Sequence, residues 1–116
     1  MFNGCKSLTN APKLPATILA ESCYQSMFYA CTGLTTAPEL PATTLADYCY
    51  YHMFYDCTSL NTITCLATDI SAESCTSSWV KGVSSGGTFY KHPDMNNWTR
   101  NYNGIPSSWV VENYIE

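Results

Sequence analysis

A unit of 26 residues runs almost three times without insertion or deletion, opening at Met1, Met27 and Met53 on MFNGCKSL, MFYACTGL and MFYDCTSL. Residues 1–26 and 27–52 agree at 15 positions, and 27–52 and 53–78 at 10. A fixed period of about 20 to 50 residues marks a stack of supersecondary units, none of which can bury its apolar face alone. Such stacks offer extended surfaces more than deep pockets, so the period points toward binding before any side chain is weighed. Because Met1 shares a column with Met27 and Met53, the array reads as starting inside itself. Further repeats, a cap and a secretion signal are expected upstream.

Within a unit the apolar positions fall into two registers. Leu8, Ala11 and Leu14, then Leu34, Ala37 and Leu40, lie in Thr- and Pro-containing stretches, where Pro12 and Pro15 forbid helix and favour a short extended segment. Leu19, Cys23, Met27 and Cys31, matched by Leu45, Cys49, Met53 and Cys57, recur four apart, the spacing of a buried helical stripe. Thr17 or Thr43 would cap that helix. Glu21, Asp47 or Glu73 would then sit in its first turn, where the helix dipole favours an anion. The expected unit is a short strand, a Pro-bounded turn and a short helix or helical turn, stacked with strands on one face and helices on the other.

After Trp79 the period fails and glycines gather, at Gly82, Gly86, Gly87 and Gly104. Residues 87–91 read as a strand, and Gly104-Ile105-Pro106 as a turn before a last strand at 109–111. The expected organisation is three repeats over 1–78 (1–26, 27–52, 53–78) and a capping unit over 79–116. In it Trp79, Trp98 and Trp109 cover the open end of the last repeat, as a stack requires. A small separate ligand module is the other reading of this tail.

Composition narrows the function. Net charge is −4 with five basic residues and no basic run, so the electrostatic footprint of a nucleic-acid binder is missing. No apolar stretch approaches the roughly 18 residues that span a bilayer, so no membrane insertion is expected of this segment. Six of the seven cysteines fall in two columns, Cys5, Cys31, Cys57 and Cys23, Cys49, Cys75. No CxxC occurs, His52 and His92 are unrelated in position, and equivalent side chains in a stack point the same way. Zinc and disulfides both fit poorly, and a ladder of buried free thiols fits better. Cys65, alone in its column, is the expected exception. The Glu21, Asp47, Glu73 column lacks the flanking residues of a calcium loop. No metal or other cofactor is expected.

No GxSxG, P-loop or GxGxxG occurs, and His52 shares its column with Ser26 and Ser78, so the chain is not expected to be an enzyme. Asn97-Trp98-Thr99 has the sequon pattern, but Trp98 reads as cap core. The tyrosines carry the remaining signal. Tyr24 and Tyr50 share one column, Tyr29 and Tyr55 another, and Tyr48 and Tyr51 join them in the second unit. Tyrosine supplies wide amphipathic contact at low entropic cost. These six are the candidate binding residues, against the reading that half of them are core.

MFNGCKSL and MFYACTGL resemble the AFxxCxxL core of BspA-like leucine-rich repeats of bacterial surface proteins, and a related 26-residue MFxxCxxL surface repeat. TNAPKLPATILAESCY and TTAPELPATTLADYCY are similar to a variant common in Bacteroidales. TITCLATDISAESCTSSWVKGVSSGGTFYK and MNNWTRNYNGIPSSWVV are similar to the unit that closes such arrays. The pattern departs where that family places a second inward Ile: Lys13, Glu39 and Cys65 stand there, which implies a shortened or bulged strand. The resemblance implies a leucine-rich-repeat solenoid, the C-terminal part of a protein secreted to or displayed on the cell surface. It further implies non-enzymatic adhesion to an extracellular protein or glycan. A structural spacer, or a carbohydrate-binding module using exposed rings, are the alternatives.

Overall fold

The computed structural model describes residues 4, 8–9, 14, 17–96 and 98–114. Expectations that rested on Met1, Cys5, Ala11, Pro12, Lys13, Pro15 and Asn97 lie outside the described residues.

The predicted helices are not helices. Turns fill residues 21–30, 47–56 and 73–82, three runs 26 residues apart. In the first run the amides of Cys23, Gln25, Met27, Tyr29 and Cys31 each donate to the carbonyl three residues back. The intervening amides leave the run altogether. Those of Ser22, Tyr24, Ser26, Phe28 and Ala30 donate to the carbonyls of Asp47, Cys49, Tyr51, Met53 and Tyr55 in the next unit. The second run repeats the pattern onto Glu73, Cys75, Ser77, Trp79 and Lys81. An α-helix would spend every amide on the carbonyl four residues back; here half of them tie one unit to the next. Gly4 extends the same ladder one rung upstream, donating to Tyr29 O at 2.7 Å.

A chain that turns continuously this way needs positive φ at every fourth residue. Ser22, Ser26, Ala30, Tyr48, His52, Asp56, Ser74 and Ser78 supply it, with φ from 47° to 60°, and Gly82 completes the third run. Positive φ at the third position of a turn is what a type II turn demands. For an L-residue it costs about 1–2 kcal/mol, which the inter-unit bonds offset. Two consecutive residues of every four face inward. Cys49 with Tyr50 and Met53 with Phe54 are buried, whereas Tyr51 with His52 and Tyr55 with Asp56 lie at the surface.

This geometry reverses the usual substitution pattern. Ser26→Gly should leave stability within about 0.5 kcal/mol, because relief at φ 54° roughly balances the freedom gained by the unfolded chain. Ser26→Val should cost about 2 kcal/mol, since a branched side chain resists positive φ. A helix would tolerate Val about as well as Ser and would lose by Gly. Urea unfolding of the two variants separates the cases.

Opposite the turns, β1 (Thr62–Cys65), β2 (Thr88–Lys91) and β3 (Val110–Asn113) form a parallel sheet in the order β1-β2-β3. Thr62 faces Thr88 and then Val110, and Thr36 bridges onto Thr62 from the preceding unit. Ile63 and Phe89 point inward and are fully buried. The parallel stacking passes without a break through residue 78, where the repeats were expected to end, because Trp79 and Lys81 still accept from Phe54 and Asp56.

Glu39 and Cys65 are not equivalent in space, although they share a sequence column. Ala37 N donates to Thr62 O and Leu40 N to Thr64 O, so three steps on one segment match two on the other. The extra residue is accommodated at Pro38-Glu39, a bulge in which Pro38 has no N–H to lose and Glu39 is exposed. Cys65 therefore lies opposite Leu40, and both are fully buried.

The core runs between turns and sheet as stacked columns. Phe28 and Phe54 lie face to face at 5.8 Å, and Tyr24, Tyr50, Trp79 and Trp98 form a continuous pile at 6.2, 5.7 and 5.8 Å. Phe89 of β2 meets Trp79 and Trp98 edge-on. The tail closes the pile. Thr76 Oγ1 donates to Asn103 O, the amide of Ser78 to Asn103 Oδ1, and the amide of Val80 to Tyr102 O. Residues 102–103 thus cover the middle of the third turn run. The indoles of Trp79 and Trp109 donate to Gly104 O and Ser84 O, both at 2.8 Å.

Candidate binding surface

The two-in, two-out phase of the turns sorts the six candidate tyrosines. Tyr50 is 1% exposed, packed between Tyr24 and Trp79, so it is core and not part of a binding face. Its phenol is pushed well above the ordinary value by burial, then by the neighbouring Cys65 and Cys49 thiols. Tyr24 occupies the same inward column, half-buried over Tyr50, and its phenol too is raised by burial and then by Cys23. The expectation that Tyr50 belongs to the binding face is corrected, because in this turn run the residue after the buried Cys49 is also inward.

Tyr29, Tyr48, Tyr51 and Tyr55 fall in outward positions, each half-buried, and they meet. Tyr29 and Tyr55 stack at 5.0 Å with an interplanar angle of 2°. Lys81, the next residue of that column, sets its Nζ 5.8 Å from the Tyr55 ring centre and 5.4 Å from that of Tyr102. A row Tyr29, Tyr55, Lys81, Tyr102 thereby crosses all three turn runs and ends on the cap. His52 fills its flank, 5.0 Å from Tyr55 and 3.8 Å from Tyr51, which in turn meets Tyr48 edge-on at 5.6 Å. Burial, then Lys81, hold the His52 imidazole below its usual pKa, so it is neutral at pH 7.

The ridge has a definite chemical character. Ring faces are largely spent on one another and on Lys81, leaving edges, hydroxyls and one exposed ammonium toward solvent. None of the Tyr29, Tyr48, Tyr51 or Tyr55 hydroxyls bonds to a described residue. Stacking of a sugar would use an open ring face, and Tyr29 and Tyr55 turn one face each onto the other. Edge contact plus hydroxyl donors and acceptors instead suits a polypeptide surface.

Lys81 and His52 were missed as members of this surface, although Lys81 stands 26 residues after Tyr55 and so carried the signal. Tyr102, 49% exposed, lies in the aperiodic tail and had none.

The other candidates disperse. Glu21, Asp47 and Glu73 are exposed, and Asp47 Oδ1 accepts the amide of Glu73 at 2.9 Å, a link between units with no helix to cap. Among the described residues no group of three His, Cys, Asp or Glu side chains gathers where a metal ion would sit. Cys49, Cys57, Cys65 and Cys75 are buried free thiols, Cys31 is fully buried, and Cys23 is a free thiol at the surface. Burial pushes Cys49, Cys57 and Cys65 up to about 12, which keeps them protonated at neutral pH, and Cys57 Sγ donates to Phe28 O at 2.9 Å. Cys65, expected to differ, is as buried as the rest. Among the described residues no helix is long and apolar enough to cross a membrane. Comparison with family models, curated proteins and solved structures finds no match.

Proposed function

We propose that the chain is part of a leucine-rich-repeat solenoid of the BspA-like kind. On this reading it acts outside the cell as a non-enzymatic adhesion module, and its tyrosine ridge grips an extracellular protein. The observation that carries it is the row Tyr29, Tyr55, Lys81, Tyr102, in which equivalent residues of successive units, followed by the cap, line up on one outward face. Each unit adds one side chain to the row, so contact area grows with repeat number. A protein ligand is preferred to a glycan because Tyr29 and Tyr55 are stacked face to face on each other.

The test is binding of the purified chain to immobilised extracellular-matrix proteins and glycans, beside the variant Tyr29→Ser, Tyr51→Ser, Tyr55→Ser. With the fold checked by circular dichroism, the variant should lose at least about tenfold in affinity for whichever protein is bound, the loss expected on removing hot-spot aromatics. Undiminished binding by the folded variant would remove the ridge from the account.

A further inference from the structure

Every tryptophan of the cap but one has its indole N–H satisfied. Among the described residues, Trp98 Nε1 is the one buried side-chain nitrogen or oxygen without a partner, and Trp98 is 9% exposed. A buried donor left unpaired is expensive, and a native chain retains one for a reason. Trp98 also lines a surface cleft of about 260 Å³. Among the described residues, the polar groups around it are Lys91, Arg100 and Asn96, with no carboxylate in the lining, in a chain of net charge −4. Lys91 Nζ reaches only His92 O, at 3.5 Å, and the bonds of Arg100 to the cap carbonyls all run through Nη2. Met95, Ile105 and Val111 complete the wall.

We infer that this cleft, which shares no residue with the tyrosine ridge, binds a carboxylate carried on a compact apolar body. The two cations fix the anion, and the guanidinium suits its planar, forked shape. The Asn96 amide is a further donor, and the methionine, indole and branched side chains take the apolar part. At about 260 Å³ the space holds one small ring or side chain rather than an extended ligand. Two sources carry such a group, a free organic acid and the C-terminal residue of a polypeptide.

Benzoate and benzamide, equal in shape and different in charge, are the first probes, read on the Trp98 indole N–H resonance, which Trp98→Phe assigns by its disappearance. Benzoate should shift that resonance saturably, benzamide should not, and Lys91→Met should weaken benzoate at least tenfold while Lys91→Arg retains it. A short peptide ending in phenylalanine is then compared with its C-terminal amide. Tighter binding of the free-acid peptide than of benzoate assigns the cleft to a polypeptide terminus, and benzoate binding without peptide binding assigns it to a free acid. An indole resonance that benzoate leaves unmoved, an equal response to benzamide, or full benzoate affinity in folded Lys91→Met would each overturn the inference.

Discussion

Trp79→Ala should lower the stability of the chain by about 3–5 kcal/mol, the range for deleting a buried aromatic. Because a domain of this size holds only about 5–15 kcal/mol in total, that loss takes much of the fold with it. Trp79 is fully buried, and four aromatic neighbours rest on it: Tyr50 and Trp98 stacked, Phe54 tilted and Phe89 edge-on. Its indole also ties the last turn run to the cap through Gly104 O, and its carbonyl accepts from Phe54. Turn run, sheet and cap therefore meet at this one side chain. Trp79→Phe keeps the ring contacts and loses the N–H, so about half the effect should remain. Urea unfolding of the two variants checks both the size and the order.

Gly104→Ala should cost about 2–4 kcal/mol, the sum of overpacking and a lost buried hydrogen bond. A Cβ there would run into the carbonyl oxygen of Thr99, a backbone atom that no rotamer change can move aside. That same carbonyl accepts the amide of Ile105, and the Gly104 carbonyl accepts the Trp79 indole. Making room means shifting the loop that holds the lid. Gly86→Ala is the control, since nothing lies within 4 Å of its added Cβ, and it should change stability by less than about 0.5 kcal/mol. Thermal unfolding of the pair gives the comparison.

Much of this arrangement was legible. The 26-residue period anticipated the offset between the hydrogen-bonded turn runs, and residues 87–91 anticipated β2. The helix was misread because the apolar residues Leu19, Cys23, Met27 and Cys31 also suit a chain turning with a period of four. An α-helix repeats at 3.6, so three successive steps of four drift by about 120° around its axis. A true helical stripe mixes steps of three and four, and the unmixed fours were the available clue. The Tyr50 error has the same root. A helix one residue past a buried position has turned by about 100°, whereas this chain keeps two neighbours inward. The slip between Glu39 and Cys65 was hidden for another reason: the units align without a gap in sequence, and the residue gained at Pro38-Glu39 is returned before Glu73. The cap side of the ridge depends on Tyr102, whose position follows from tertiary packing alone.

Duplication of residues 27–52 in tandem, followed by thermal unfolding, tests the stacking of 26-residue units most directly. The added unit should meet its own copy on one side and residues 53–78 on the other, extending the amide ladder and the Phe28, Phe54 and Tyr24, Tyr50 piles by one step. The expected result is a single cooperative transition at higher temperature than the parent chain, because each stacked unit adds a nearest-neighbour interface. Duplication of residues 28–51, two short of the period, should unfold at lower temperature. A lowered or split transition in the 26-residue duplication, or equal behaviour of the two, would contradict the account.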